Sequence, residues 1–337
     1  MNQRQQWLFR IGSNQLNFNT QHTTHRKTMK VLNQNQGQNW ALYHGDCVEV
    51  SKGIPNDSLH YSIFSPPFAS LYTYSNSSRD MGNCKNDNEF ANQFQFLIRE
   101  LYRMLMSGRL VSFHCMNLPT SKVRDGYIGI RDFRGELIRA FQAEGFIYHS
   151  EVVIWKDPVI AMQRTKALGL LHKQVCKDSA MSRQGIPDYL VTMRKPGVNP
   201  EPCIGGFDDF IGEDAPKKNG SVKDSINIWQ RYASPIWMDI DPGDTLQFRS
   251  ARDNNDERHI CPLQLQVIDR ALQLWTNLGD VVLSPFAGIG SEGYSALRMG
   301  RKFVGIELKQ SYYECAVNNL TNAEQLKQGQ LALEINV

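Results

Sequence analysis

The segment VVLSPFAGIGSEG, residues 281–293, decides the fold, because three apolar residues lead directly into a glycine-rich turn. The pattern of Gly288, Gly290 and Gly293 after a strand and before a helix is typical of a βαβ unit that binds a nucleoside. The acidic Glu307 ends the next predicted strand, 19 residues beyond Gly288. In nucleoside-binding units, a carboxylate at this position accepts hydrogen bonds from the ribose hydroxyls. The turn therefore predicts a nucleoside site without saying which nucleoside binds there.

The position of this turn near the end of the chain predicts a permuted strand order. A nicotinamide-binding unit begins its domain and needs several strands after its first helix, whereas only 30 residues follow Glu307. The missing strands must therefore precede the turn. Apolar runs predict strands at 60–64, 110–113, 146–155 and 188–194. Apolar residues spaced three to four apart predict helices at 89–106, 133–144 and 262–275. Further helices are predicted at 291–299 and 311–320. This alternation predicts a permuted α/β domain with a largely parallel sheet.

The predicted strand at 60–64 ends abruptly at Ser65-Pro66-Pro67-Phe68. Two prolines stop the strand because they lack backbone donors, and they leave the carbonyl oxygens of a rigid loop available as acceptors. The Ser65 hydroxyl and the Pro66 carbonyl are suited to accept hydrogen bonds from an amino group. The aromatic ring of Phe68 is suited to stack on a flat heterocycle.

Four passages, in this order, resemble the S-adenosylmethionine-dependent DNA amino-methyltransferases of the permuted beta group, and phage-like members most strongly. They are Gly45-Asp46-Cys47 with Ser58-Leu59-His60, the loop Ser65–Phe68, the run Arg258–Leu263, and Leu283–Gly290 continuing through Gly300–Glu307. The resemblance covers about residues 43–320. It implies a Rossmann-like class I methyltransferase sheet with helices on both faces, circularly permuted, plus an inserted recognition region.

The resemblance also implies an enzyme of class EC 2.1.1.- that transfers a methyl group from S-adenosylmethionine to the exocyclic amino group of a DNA base. Such a base must flip out of the duplex to reach the site. The implied catalytic residues are Ser65, Pro66, Pro67 and Phe68. The implied cofactor-binding residues are Asp46, Pro262, Ser284, Phe286, Gly288, Gly290 and Glu307. No metal is expected.

Two positions bear on specificity and on the cofactor. Ser284 stands where most family members have Asp, which removes a carboxylate that commonly helps to position the methionine amine. Glu292 or a backbone carbonyl is a candidate to compensate. Ser65 favours cytosine N4 as the target, because Asp or Asn is commoner at that place in adenine N6 enzymes. Adenine N6 is the alternative. An RNA methyltransferase and a non-catalytic DNA-binding relative are further alternatives.

Composition divides the chain into five predicted parts. The first 39 residues hold fifteen Asn or Gln and predict a loose polar tail, with Met29 as an alternative start. The other parts are the catalytic half 40–195, the insertion and candidate target-recognition region 196–250, the cofactor half 251–325 and the tail 326–337.

The stretch 156–195 has eight Lys or Arg against three Asp. Arg164, Lys166, Lys173 and Arg183 are therefore predicted to contact DNA phosphates, with an ordinary solvated loop as the alternative. DNA is the predicted partner, together with a cognate restriction endonuclease that acts on the same site. The oligomeric state stays open.

The whole-chain composition fits a globular protein. It has 337 residues, 41% of them hydrophobic and 21% charged, with a net charge of +3 that neither demands nor excludes a polyanion. No long apolar run predicts a membrane span or a secretory signal, so we expect a soluble protein in the cytoplasm of a bacterial or phage-infected cell.

Cysteine and histidine side chains offer other chemistry. The seven cysteines form no Cys-x-x-Cys pair, which excludes zinc-dependent deaminase chemistry. Cys203 follows a proline, as does the nucleophile of cytosine C5 methyltransferases, but its acidic neighbours disfavour a thiolate. His114 and His172 are interpreted as structural or surface residues.

Overall fold

The computed structural model describes residues 31–68, 80–84, 87–120, 122–165, 168–204, 222–247, 251 and 262–335. Its strands are β1 Asn33–Gln36, β2 Trp40–His44, β3 Leu59–Phe64, β4 Leu105–Met116, β5 Leu118–Thr120, β6 Gly129–Arg131, β7 Ile147–Ile154, β8 Asp188–Arg194, β9 Ile236–Trp237, β10 Val281–Ser284 and β11 Lys302–Glu307. In the described part, β5 and β6 form a separate two-stranded sheet, and the other nine strands form the central sheet.

The helices alternate with these strands along much of the chain. They are α1 Cys47–Ser51, α2 Asp87–Met104, α3 Lys122–Asp125, α4 Phe133–Ala143, α5 Pro158–Thr165, α6 His172–Lys177, α7 Val222–Tyr232, α8 Leu265–Trp275, α9 Ser291–Arg298 and α10 Gln310–Ile335. Single 3-10 turns lie at Met81–Asn83, Leu168–Leu170 and Ser179–Met181. None of the helices in the described ranges is both long and apolar enough to cross a membrane.

The central sheet has the strand order β1-β2-β11-β10-β3-β4-β8-β7-β9. The five strands from β2 to β4 in this order pair in parallel, so their carboxyl ends lie at one edge of the sheet. The chain leaves β10 toward β11 on one side and leaves β3 toward β4 on the other. The order therefore reverses between β10 and β3, which is where ligands bind in open α/β sheets.

Two hydrophobic layers cover the two faces of the sheet. On one face, Tyr43, Phe113 and Leu283 pack with α2 and α4. On the other face, Leu42 and Val282 pack with α8, α9 and α10. Neighbouring residues of one strand thus enter opposite layers, as the two-residue period of a strand requires. The predicted α/β sheet with helices on both faces is confirmed.

The amino edge of the sheet holds a buried polar cluster. Arg109, which is 1% exposed, forms an ion pair with Asp280 at 3.1 Å between Nη2 and Oδ2. His60 Nδ1 accepts a hydrogen bond from the Val281 N–H at 2.9 Å, and burial lowers the pKa of His60. These contacts link β3 and β4 to the start of β10 at the edge away from their carboxyl ends.

The structure differs from the sequence predictions at both ends of the domain. Residues 33–36 lie inside the predicted polar tail, yet they form β1, which pairs antiparallel with β2. The polar NQNQ sequence gives no apolar signal because this edge strand is exposed on all four residues. Residues 1–30, and Met29 with them, lie outside the described residues. The final helix α10 reaches Ile335, well beyond the predicted end at Leu320 and into the predicted tail.

Two internal predictions also differ. The helix predicted at 89–106 ends at Met104, and its last two predicted residues belong to β4. Within β4, Gly108 has a φ of 72° beside a register irregularity. The predicted insertion 196–250 contains α7 and β9. Strand β9 pairs in parallel with β7, so this strand of the insertion belongs to the central sheet.

Gly293 provides a test of the packing between α9 and the sheet. A Cβ at this position would lie 2.4 Å from Leu320 Cδ2 and 2.5 Å from Phe303 Cδ1, both in the buried layer. We expect Gly293→Ala to lower the free energy of unfolding by about 1–3 kcal/mol, measured by denaturant unfolding.

The matched control is Gly185→Ala, whose Cβ would meet only Pro158 at 3.7 Å. It should change stability by less than about 0.5 kcal/mol. Equal stability of the two variants would contradict the close contact at Gly293.

Candidate active site

A cleft opens at the carboxyl edge of the sheet, where the order of the strands reverses. It is formed by the segments that follow β2, β3, β10 and β11. Its lining is Gly45, Cys47, Ser65, Pro66, Pro67, Phe68, Asp80, Met81, Pro262, Leu263, Pro285, Phe286, Ala287, Gly288, Ile289, Ser291, Glu292, Glu307, Leu308, Lys309 and Tyr312. Two segments more than 200 residues apart in the sequence, the proline loop and the glycine turn, thus share one cleft.

The proline loop is firmly held at the end of β3. Pro66 and Pro67 are buried, whereas Ser65 and Phe68 are partly exposed to the cleft. The Phe68 ring packs edge-on against Phe133, with 6.3 Å between the ring centroids. Rigid packing behind the loop leaves its polar atoms and one aromatic ring at the cleft surface.

The glycine turn brings backbone close to the cleft. Gly288 has a φ of 52°, and a Cβ built there would meet nothing within 4 Å, so the space beside it is open. Gly290 has a φ of 88° and precedes the first residue of α9. The Phe286 ring packs against Phe64 at 5.7 Å and also lines the cleft, so it serves both the core and the site wall.

Glu307 holds the glycine turn against the end of β11. Its carboxylate accepts hydrogen bonds from the Gly288 N–H at 2.7 Å and from the Lys309 N–H at 2.8 Å. Burial raises its pKa to about 7, although these backbone donors act in the opposite direction. A carboxylate has about four lone-pair sites, so Glu307 retains acceptor capacity for a ligand hydroxyl.

A second acid, Glu292, lies in the first turn of α9. It is 4% exposed, and burial raises its pKa to about 8, with Glu307 adding a smaller repulsion. The hydroxyls of Ser284 and Ser291 are also buried and have no hydrogen-bond partner among the described residues. Of these groups, Glu292 and Ser291 line the cleft. The cleft therefore presents a buried acid and an unsatisfied hydroxyl, an environment that suits a polar, cationic group.

Three predicted cofactor residues lie beside the cleft instead of lining it. Asp46 caps α1 by accepting a hydrogen bond from the Glu49 N–H at 2.9 Å, and its neighbour Gly45 lines the cleft. Ser284 is fully buried at the end of β10. The Gly290 N–H donates a hydrogen bond to the Ala287 carbonyl at 2.7 Å within the turn.

Of the four predicted phosphate-binding residues, the two whose side chains the structure describes, Lys173 and Arg183, do not line the cleft. Lys173 is exposed on α6, and the Arg183 guanidinium donates to the Gln184 carbonyl at 3.1 Å. Arg164 belongs to α5, but its side chain, like the whole of Lys166, lies outside the described residues. Residues 258–261 of the run Arg258–Leu263, which carries part of the family resemblance, also lie outside the described residues.

Several lining residues were not predicted from the sequence, among them Asp80, Met81 and Tyr312. Asp80 is 8% exposed and accepts a hydrogen bond from the Gly82 N–H at 2.8 Å. The sequence does not identify these three residues as part of a site, because none of them belongs to a recognisable motif. His114, interpreted from sequence as structural, contacts Ser65 at 3.2 Å.

Cys203 lies away from this cleft. Its sulfur contacts Arg109 Nη1 at 2.6 Å and the Trp275 carbonyl at 3.1 Å. Burial raises the pKa of the thiol. The thiol is therefore neither near the proline loop nor activated, which agrees with setting it aside as a nucleophile.

A largely parallel sheet with a glycine-rich turn, an acid at the end of the following strand and a ligand cleft at the reversal point defines an α/β protein of the class I methyltransferase type. Residues 59–318 match the family model described as DNA methylase, of N6 and N4 methyltransferases. The chain belongs to this family. The predicted family and enzyme class are thereby confirmed, and the family uses S-adenosylmethionine as its cofactor, as predicted.

Among curated relatives, the DNA adenine methyltransferase YhdJ of Escherichia coli K12 is 32% identical over 117 residues, which are 34% of this chain and 40% of that protein. The type II methyltransferase M.BamHI of Bacillus amyloliquefaciens is 35% identical over 269 residues, 79% of this chain and 54% of that protein. The chain thus spans about half or less of the length of the curated relatives it matches.

Among solved structures, the DNA modification methylase TTHA0409 of Thermus thermophilus, crystallised with S-adenosyl-L-methionine, aligns with a TM-score of 0.59 at 20% identity, covering 84% of this chain and 95% of that one. The cytosine-N4-specific PvuII DNA methyltransferase aligns with a TM-score of 0.57 at 15% identity, covering 86% and 92%. These alignments confirm the predicted fold class.

The buried acid Glu292 generates a pH prediction. The folded protein keeps its proton up to about pH 8, whereas the unfolded chain loses it near 4.5. Stability should therefore fall as pH rises between these values, because the unfolded state releases the proton first. We expect Glu292→Gln to be more stable than wild type at pH 8 by about 1–2 kcal/mol. This is less than the whole pKa difference between the folded and unfolded states would give, because the protein around a buried carboxylate relaxes and reduces its cost.

Thermal unfolding from pH 5 to pH 8 measures this difference, which should shrink toward pH 5. Glu307 keeps part of the pH dependence in the variant. Glu314→Gln, on the exposed face of α10, is the control and should follow wild type. Identical pH profiles for Glu292→Gln and wild type would show that the carboxyl is not held protonated.

Proposed function

We propose that this chain is a DNA methyltransferase that transfers a methyl group from S-adenosylmethionine to the exocyclic amino group of a flipped-out base. One observation carries the proposal: the loop Ser65–Phe68 and the turn Phe286–Gly288 line the same cleft. A cofactor on the turn and a base on the loop would meet there. When bound, the cofactor supplies a sulfonium methyl group to an attacking amine.

The residues of the cleft fit this cofactor. Gly288 leaves open space for close approach, and Glu307 retains acceptor capacity for ribose hydroxyls. Phe286 and Pro262 supply apolar walls for the adenine or the methionine part. Glu292 offers a buried carboxyl to the methionine ammonium group, in a chain that has Ser284 in place of the usual Asp. Asp46, Ser284 and Gly290 would support the site from behind.

The loop residues would act on the target base. An exocyclic amine is a poor nucleophile because its lone pair is delocalised into the ring. The Ser65 hydroxyl and the Pro66 carbonyl would accept hydrogen bonds from its two N–H groups and favour a tetrahedral nitrogen. Phe68 would stack on the base, which is worth about 1–3 kcal/mol and offsets part of the cost of flipping.

Within this function, we favour cytosine N4 as the acceptor because Ser65 occupies the first position of the loop. Adenine N6 is the second candidate. RNA methylation and DNA binding without catalysis are outcomes that the experiment below distinguishes. The protein would act in the cytoplasm of a bacterial or phage-infected cell.

Duplex DNA would approach from the side of 156–195. Exposed Lys173 supports phosphate contact there, and Arg183, Arg164 and Lys166 belong to the same basic stretch. The M.BamHI relative is a type II methyltransferase, which supports proposing a cognate restriction endonuclease as a functional partner. The region 196–250 is the proposed reader of the target sequence.

Product analysis tests the proposal. Purified protein is incubated with labelled S-adenosylmethionine and either DNA or RNA of mixed sequence, and the nucleic acid is digested to nucleosides. We expect label in N4-methylcytosine, or in N6-methyladenine if the second candidate is right. Label only in RNA, label in 5-methylcytosine, or cofactor binding without transfer to any DNA would each overturn the proposal.

Substitutions in the loop test its catalytic role. Ser65→Ala and Phe68→Leu should each lower kcat, Ser65→Ala by about 100-fold or more, because they remove groups that act on the target amine and base. The dissociation constant for S-adenosylmethionine, measured by calorimetry, should stay within about threefold of wild type.

Phe96→Leu, at a ring that is 54% exposed on α2, is the matched control for Phe68. It should leave kcat and cofactor affinity unchanged. Wild-type turnover by Ser65→Ala would remove this residue from the catalytic assignment.

A further inference from the structure

A row of polar side chains runs from the cleft into the protein behind Ser65. Ser65 Oγ is hydrogen-bonded to His114 Nδ1 at 3.2 Å. His114 Nε2 lies 3.2 Å from Asp188 Oδ2, and the same carboxylate oxygen contacts Lys156 Nζ at 2.5 Å. Ser65 lines the cleft, whereas the three other residues do not.

The sheet fixes this row in place. His114 lies near the carboxyl end of β4, and Asp188 begins β8, which runs antiparallel to β4 with Asp188 opposite Met116. Asp188 is 3% exposed and His114 is 9% exposed, so both are removed from bulk water. The Lys156 side chain is 26% exposed and connects the inner end of the row to solvent.

The partners of His114 select its tautomer. The Asp188 carboxylate beside Nε2 favours the proton on that nitrogen, which leaves the Nδ1 lone pair to accept the Ser65 hydroxyl proton. Burial raises the pKa of Asp188, but His114 and Lys156 outweigh it and hold that pKa below its usual value. Asp188 therefore remains an anion next to the imidazole.

We propose that His114 and Asp188, with Lys156, form a proton-accepting relay that works through Ser65 during amine methylation. This inference rests on the proposed function. With its own proton directed to His114, the Ser65 oxygen presents its lone pairs to the cleft, where it accepts a hydrogen bond from the target amino group. His114 is thus a positioning residue that acts through Ser65, and Asp188 orients His114.

The proton balance of the transfer shows what the relay contributes. When the methyl group moves, its bond to sulfur breaks with the electron pair left on sulfur, and the lone pair of the amine forms the new N–C bond. The amine nitrogen then carries one proton in excess. That proton passes to Ser65 Oγ while the hydroxyl proton passes to His114 Nδ1, and the resulting imidazolium lies beside Asp188. Loss of the proton to solvent restores the neutral ring.

A double-mutant cycle tests the relay. His114→Ala should lower kcat by about 100-fold, the range of general acid–base contributions, while the KM for DNA and the cofactor dissociation constant change less than about threefold. Because His114 acts through Ser65, the Ser65→Ala/His114→Ala double variant should be no slower than Ser65→Ala by more than about threefold.

His114→Asn separates orientation from proton acceptance. The Asn side chain can still offer an acceptor near the position of Nδ1, but it cannot take up a proton at neutral pH. We expect its kcat to stay at least about tenfold below wild type, with an unfolding midpoint close to that of wild type. His149→Gln, at an exposed position on β7, is the control and should keep wild-type turnover.

The outcomes separate the relay from the function on which it rests. Absence of methyl transfer by wild-type protein overturns the proposed function. Wild-type transfer together with a His114→Ala kcat within about twofold of wild type overturns the relay alone. A double variant whose loss equals the product of the two single losses also overturns it, because His114 would then act independently of Ser65.

Discussion

The parallel pairing of β10 with β3 is the constraint on which the site depends. Val282 lies opposite Tyr61 and Leu283 opposite Ser62, and the Ser62 hydroxyl donates to the Leu283 carbonyl at 3.0 Å, across a sequence separation of 221 residues. Parallel strands place their carboxyl ends at one edge, so the segments that follow β3 and β10 must share the cleft between them. The order of the two halves in the chain does not affect this result, which is why a permuted chain can build the same kind of site.

The sequence predicts those elements whose formation depends on burial of apolar side chains. Strand β8 is predicted with its observed bounds, and helices α4 and α9 are predicted to within one residue at each end. Secondary structure is not predicted correctly where an element is stabilised by backbone hydrogen bonds or by residues distant in the sequence. Strand β1 is entirely polar and depends on its ladder with β2, and the positive φ of Gly108 appears within a strand because β4 is irregular beside β3.

The difference between local patterns and long-range contacts also explains which site residues could be predicted from the sequence. The glycine turn and the proline loop are local patterns, so their residues could be named in advance, and eight of the eleven predicted catalytic and cofactor residues line the cleft. The role proposed for His114 could not be predicted, because an isolated His in a strand carries no signal of its own. Its surroundings come from the antiparallel register that sets Asp188 beside it and from the loop that brings Ser65 to its ring.

Two buried acids determine how the cleft responds to a cationic ligand. Glu292 and Glu307 are both buried acids with raised pKa values, and neither forms an ion pair in the described structure. Burial favours the protonated, neutral form of both acids in the free protein, so a cationic ligand that binds beside them would favour the carboxylate form and release a proton. Under the proposed function, the ammonium and sulfonium charges of S-adenosylmethionine would favour ionisation of these acids, and the demethylated product would lack the sulfonium charge. Under the same proposal, Glu292 in the first turn of α9, which lines the cleft, would take the role of the Asp that Ser284 replaces.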